Sequence, residues 1–84
     1  MVRLHDIVSE TAALYGFKPE DVMLYRRSTL TLIARDHCMY ELWRALDKEP
    51  AAVAQFFKRV SSQAVTRAVE RHIDRVTETA NEFY

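Results

Sequence analysis

The stretch Pro50–Ile73, PAAVAQFFKRVSSQAVTRAVERHI, carries the pattern that decides the fold. A short apolar helix is predicted over Pro50–Phe57, because proline is favoured at the first position of a helix. The polar pair Lys58 and Arg59 interrupts it, and a long helix follows from near Ser61. Two helices joined by so short a connector predict a helix-turn-helix, in which the second helix can lie in a DNA groove.

Apolar side chains recur along this last helix at intervals of three and four residues, so one face is predicted to be apolar over about five turns. These positions are Val60, Ala64, Val65, Ala68, Val69, His72, Ile73, Val76 and Ala80.

Two helices are predicted at the start of the chain. The first spans about residues 3 to 15, and Gly16 ends it because glycine readily takes the left-handed conformation of a helix cap. Its apolar side is Leu4, Ile7, Val8, Thr11, Leu14 and Tyr15. The second spans about residues 19 to 24, where proline is followed by two carboxylates that the helix dipole favours.

The central helix is predicted over about residues 29 to 46, with Ser28 or Thr29 as its N-terminal cap. Its apolar stripe is Leu32, Ile33, Met39, Leu42, Trp43 and Leu46. Pro50 disfavours helical geometry in the residue before it and so closes this segment. Since no segment alternates as a strand does, we predict an all-α compact bundle of four to five helices, one domain over residues 1–84, with the helix-turn-helix at about residues 50 to 80.

Composition limits the classes of function. The chain has 84 residues, 49% of them hydrophobic, which is enough for one modest core but not for a cleft between lobes, so we do not expect an enzyme. Twelve basic residues balance twelve acidic ones, yet residues 25–75 hold ten basic and six acidic side chains. A lone cysteine, no signal-peptide pattern and no apolar run long enough for a membrane span lead us to expect a soluble, cytoplasmic chain.

Four segments together resemble a known family. They are ETAALYGFKPEDVMLYRRS, IARDHCMYELWRAL, AAVAQFF and AVTRAVERHI. They look like the C-terminal DNA-binding domain of the bacterial chromosomal replication initiator DnaA, over nearly the whole chain. The resemblance implies a helical bundle with a helix-turn-helix of the Trp-repressor-like kind, and a role in regulating replication or transcription.

The resemblance also bears on individual residues. Arg26 and Arg27 match paired arginines that approach the DNA backbone and minor groove in that family, and Arg35 matches another basic position. The family signature Gly-Gly-Arg-Asp-His-Thr-Thr-Val is replaced here by the residues from Lys58 to Val65, which keep only the valine. The resemblance therefore implies a related scaffold that has either changed its sequence preference or lost DNA binding.

The residues themselves suggest how the last helix could bind double-stranded DNA. If its apolar face is buried, the opposite face shows Ser62, Gln63, Thr66, Arg67, Glu70 and Arg71. Glutamine can pair with adenine, arginine with guanine or phosphate, and the hydroxyls with either, while the helix start near Ser61 favours an anion. Lys58 and Arg59 add positive charge beside that end.

The same residues can also be interpreted as having structural roles only. Ser61 and Ser62 can serve as helix caps, Arg67 and Arg71 can form surface pairs with Glu70 and Asp74, and Arg26 and Arg27 can be a solvated connector. The alternative function is a protein-interaction adaptor on the same fold, using exposed side chains such as Tyr40 and Tyr84 against a protein partner.

Catalytic, cofactor and metal sites are not expected. His5, His37 and His72 lie far apart, and neither HExxH, CxxC nor a glycine-rich phosphate loop occurs. His72 is predicted to belong to the core, and the neighbours His37 and Cys38 to helix surface and core rather than to a nucleophilic pair.

Overall fold

The computed structural model describes residues 3–23, 28–57 and 60–82, with side chains described through residue 79. These residues form five α-helices and no strand, which confirms the all-α bundle. In chain order they are α1 (Leu4–Ala13), α2 (Pro19–Met23), α3 (Thr29–Ala45), α4 (Pro50–Phe57) and α5 (Ser62–Glu82).

Local sequence signals set several of the helix ends. Ser28 has an extended backbone, and its side chain accepts a hydrogen bond from the Thr31 amide at 3.4 Å, so it is the predicted cap of α3. Gly16 has φ of +78°, the left-handed conformation expected of it. Helix α1 nevertheless ends at Ala13, earlier than predicted, because a turn begins at Leu14. The end of α3 is also followed by left-handed residues, Asp47 and Lys48, with φ of 56° and 62°.

Helix α3 is the centre of the bundle, since it contacts each of the other four helices. Its largest fully buried side chain is Leu42, while α1 contributes Val8, α2 Val22 and α4 Val53 to the same core. Among the residues that the structure describes, the buried hydrophobic side chains are Val8, Ala12, Val22, Ala34, Cys38, Met39, Leu42, Val53, Ala54, Phe57, Val65, Ala68 and Val69. Burial of Cys38 and His72 confirms their prediction as core residues.

Helix α4 packs against α5, as a helix-turn-helix requires. The connector residues Lys58 and Arg59 lie outside the described residues, so the helix-turn-helix itself stays a prediction. The first half of α5 buries Val65, Ala68 and Val69, and its polar side chains consequently point outward.

Not every position of the predicted apolar stripes is covered. Leu14, which lies in the turn after α1, is 74% exposed. In α5, Ile73 and Val76 are 41% and 55% exposed. A helix of 21 residues is about 31 Å long, and the buried face of α5 ends at His72 among the described side chains. The later part of the predicted apolar face, at Ile73 and Val76, is therefore exposed in the structure.

Candidate nucleic-acid interface

The start of α5 is capped by Ser61. Its hydroxyl accepts a hydrogen bond from the Ala64 amide at 3.0 Å, and its carbonyl accepts one from the Val65 amide at 3.2 Å. This geometry confirms the capping interpretation of Ser61, and it leaves Ser62 as the first residue of the helix.

One face of the first half of α5 is polar and exposed, and we call it the α5 polar face. It consists of Ser62, Gln63, Thr66, Arg67 and Glu70, which together line a shallow depression. The Thr66 hydroxyl donates to the Ser62 carbonyl at 3.1 Å, which fixes the rotamer of that side chain. Among the described residues, Arg67 and Glu70 have no ion-pair partner, so the predicted surface pair between them is absent from this structure.

Val65, Ala68 and Val69 lie on the opposite side of the same turns and anchor α5 to α3 and α4. A helix fixed along its buried side presents its exposed side chains in a constant register. The α5 polar face thus offers amide, hydroxyl and guanidinium groups, which are the groups that contact base edges and phosphates in DNA complexes.

Arg71 pairs with a carboxylate that the sequence interpretation overlooked. Asp36 of α3 is completely buried, and Arg71 donates to it twice, from Nε to Oδ2 and from Nη2 to Oδ1, each at 2.9 Å. Arg75 donates a third hydrogen bond from Nη1 to Oδ2 at 2.7 Å. The Asp36 carboxylate raises the pKa of Arg71, chiefly through the hydrogen bonds. The suggested surface pair of Arg71 with Asp74 is therefore replaced by a tertiary contact between α3 and α5.

A sequence signal for this contact existed. Asp36 lies three residues after Ile33 and three before Met39, and is thus a charged residue within the apolar stripe of α3. A buried carboxylate requires partners, and basic residues one turn apart on another helix are suitable ones. The sequence does not indicate which helix supplies them.

Arg35 is engaged within the protein. Its Nη1 donates to the carbonyls of Val22 and Met23 at 3.4 Å each, and its guanidinium lies 5.5 Å from the centre of the Phe57 ring. The side chain therefore holds the end of α2 against α3, which is a structural role beside the predicted contact with DNA.

A cleft between α3 and α5 brings three of the predicted site residues together. Arg35, Ser61 and Arg71 line it, along with Asp36. Four other basic residues of the predicted site lie outside the described residues, namely Arg26, Arg27, Lys58 and Arg59.

Two histidines far apart in the sequence are stacked in the structure. The rings of His37 and His72 lie 4.2 Å apart at 19°, and the Tyr15 hydroxyl is hydrogen bonded with His37 Nδ1 at 2.8 Å. His37 Nε2 also lies 3.5 Å from a carboxylate oxygen of Glu41, and the Tyr40 ring contacts His72. His37 is thus partly covered, contrary to its prediction as a surface residue.

Burial lowers the pKa of His72, with a further lowering from the neighbouring His37. The stack joins α3 to α5, and the Tyr15 hydrogen bond adds the turn that follows α1. No group of three or more potential metal ligands occurs among the residues that the structure describes.

Comparison with known proteins finds no match: no protein-family model, no curated protein and no solved structure matches this chain. Within the described part of the chain, no helix is long and apolar enough to cross a membrane.

Proposed function

We propose that this protein is a double-stranded DNA-binding module of the helix-turn-helix kind, which acts as a regulator of replication or transcription. The observation that supports the proposal most is the α5 polar face. Ser62, Gln63, Thr66 and Arg67 are exposed side by side on the first turns of a helix whose other side is anchored in the core. A recognition helix contacts base edges with the residues of its N-terminal turns, so this is the part of α5 that would enter the major groove.

The chemistry of each side chain gives it a role in this proposal. Gln63 can form two hydrogen bonds with adenine, and Arg67 can form two with guanine or neutralise a phosphate. Because Arg67 has no ion-pair partner among the described residues, no ion pair with that part of the chain must break when it binds. The net positive charge of residues 25–75 supports attraction to the DNA backbone.

Glu70 opposes this arrangement, since a carboxylate on the same face repels phosphate. It lies two turns from the helix start, whereas Ser62 and Gln63 lie in the first turn. A tilted helix that inserts its N-terminal turns can keep Glu70 at the groove edge. Replacement of Glu70 by glutamine is accordingly expected to strengthen binding to every duplex.

The proposal is tested by a selection from a duplex library, followed by affinity measurements with the selected site. Substituting Gln63→Ala and Arg67→Ala together should reduce the preference for the selected site by about 1–3 kcal/mol for each lost base contact, and reduce non-specific affinity less. Arg44→Ala is the control for the loss of one exposed arginine, because Arg44 lies on α3, is 60% exposed and is not one of the residues of the α5 polar face. Equal effects of the double substitution and the control would contradict the proposed role of α5.

A specific observation favours the alternative function, a protein-interaction adaptor. Ile73 and Val76 are exposed on the second half of α5, and Tyr40 of α3 lies beside them along a common depression. An exposed apolar patch of this kind suits contact with another protein. A correctly folded protein that shows no duplex affinity at low salt would favour the adaptor over the DNA-binding module.

A further inference from the structure

Asp36 fixes the position of one arginine beside the α5 polar face. Its carboxylate is wholly buried and holds Arg71 through two hydrogen bonds of 2.9 Å, made with Nε and Nη2. A pair of parallel bonds holds the plane of the guanidinium as well as its place. Nη1 stays outside this pair, and the Arg71 side chain is 44% exposed.

Arg71 lies one helical turn after Arg67, at a spacing of four residues, so the two guanidinium groups belong to adjacent positions on one side of α5. Arg71 also shares the cleft between α3 and α5 with Ser61, the residue that caps the start of α5. A DNA strand beside the inserted helix start would run past this cleft. The exposed edge of Arg71 is therefore available to a phosphate of that strand.

We propose that Asp36 is a positioning residue that holds Arg71 ready to contact a DNA phosphate at the edge of the groove. This inference rests on the proposed DNA-binding function. An arginine that is already fixed loses less conformational freedom when it binds a phosphate than a freely rotating one does. Arg75 supports the arrangement, because its hydrogen bond of 2.7 Å helps to hold the carboxylate in place.

Simple electrostatics makes the opposite prediction. Asp36 carries a negative charge close to the proposed phosphate contact, so its removal should strengthen DNA binding if the carboxylate only repels DNA or occupies two arginines that would otherwise reach it. The sign of the change in affinity consequently distinguishes positioning from repulsion.

The experiment measures duplex affinity and its salt dependence for the wild-type protein, Asp36→Asn and Glu10→Gln. Glu10 is an exposed carboxylate on α1, so its replacement is the matched control for the loss of one negative charge. We expect Asp36→Asn to weaken binding to all duplexes about tenfold, the effect of losing one charge-assisted hydrogen bond. We also expect the slope of log affinity against log salt to become less steep by the amount that corresponds to about one phosphate contact. The control Glu10→Gln should bind at least as tightly as wild type.

A second variant keeps the test decisive if Asp36→Asn does not fold. Arg71→Lys retains the positive charge but loses the planar pair of donors, so it should also weaken binding about tenfold. Because Asp36 acts through Arg71, the double variant should bind no more weakly than either single variant.

Two results would overturn the inference while the proposed function stands. They are a folded Asp36→Asn variant that binds as tightly as wild type or more tightly, and an Arg71→Lys variant with unchanged affinity. If the wild-type protein shows no duplex affinity at low salt, the proposed function fails, and this inference fails with it.

Discussion

Replacement of Leu42 by alanine tests the packing on which the whole arrangement depends. Among the described residues, Leu42 is the largest fully buried side chain, and it lies on α3, the helix that contacts the other four described helices. Leu32 lies on the same helix and on the same predicted stripe, but is 38% exposed. The same substitution at the two positions therefore compares a buried leucine with a partly exposed one.

The expected loss at Leu42 follows from two contributions. Removing three carbon groups costs about 2.4 kcal/mol in transfer free energy, at about 0.8 kcal/mol each. The cavity left in a packed core raises the total to about 3–5 kcal/mol. At Leu32, water can occupy the vacated space, so we expect a loss of about 1 kcal/mol without a cavity contribution.

The assay is equilibrium unfolding in urea, followed by far-ultraviolet circular dichroism. A domain of 84 residues is expected to have a free energy of unfolding of about 4–13 kcal/mol, so the change at Leu42 is a large fraction of the total. Equal destabilisation by Leu42→Ala and Leu32→Ala would refute the assignment of the core, whereas a clear difference with unchanged m-values would support it.

Three further properties can be predicted. Because burial and His37 lower the pKa of His72, the unfolded chain binds the proton more readily than the folded protein does, so the free energy of unfolding should fall as pH drops below about 6.5. His72→Gln should reduce that pH dependence. His5→Gln, at an exposed position of α1, is the control for the loss of a histidine. Ser61→Ala removes the cap of α5 and should cost about 1 kcal/mol in urea unfolding, whereas Ser9→Ala in the interior of α1 removes no cap and should cost less. Burial, with a smaller effect of Glu41, raises the pKa of Cys38 to about 12. The native protein should therefore react with a thiol reagent far more slowly than the urea-unfolded chain. Equal rates would contradict the burial of this thiol.

The elements most accurately predicted from the sequence are those with strong local signals. Proline begins α2 and α4, Ser28 caps α3, and Gly16 takes the left-handed conformation. Each of these effects depends on a few neighbouring residues, so the sequence is sufficient to locate it. Apolar periodicity likewise identified the buried side of the first half of α5.

The features that escaped prediction depend on residues distant in the sequence. Asp36 and Arg71 are 35 positions apart, and their contact follows from how α3 and α5 cross. The stack of His37 and His72 arises in the same way. Periodicity identifies one side of a helix but does not tell how far a neighbour covers it, so the exposure of Val76 does not follow from the sequence.

For the proposed site, as for the fold, the local features could be predicted and the contacts between distant residues could not. The exposure of Gln63 and Arg67 follows from the spacing of the buried residues on α5, and the structure agrees with it. The involvement of Arg35 and Arg71 in contacts within the protein does not follow from that spacing, because it requires the positions of α2 and α3. Their predicted contacts with DNA stay proposals.

The most direct test of the proposed DNA binding is a salt titration of the wild-type protein with duplex DNA. If basic side chains contact the backbone, log affinity should fall linearly with log salt, with a slope of about −0.9 for each phosphate contacted. We expect measurable binding at low salt and a slope that corresponds to several contacts. No duplex affinity at low salt from a folded protein, or an affinity that does not change with salt, would contradict the central claim.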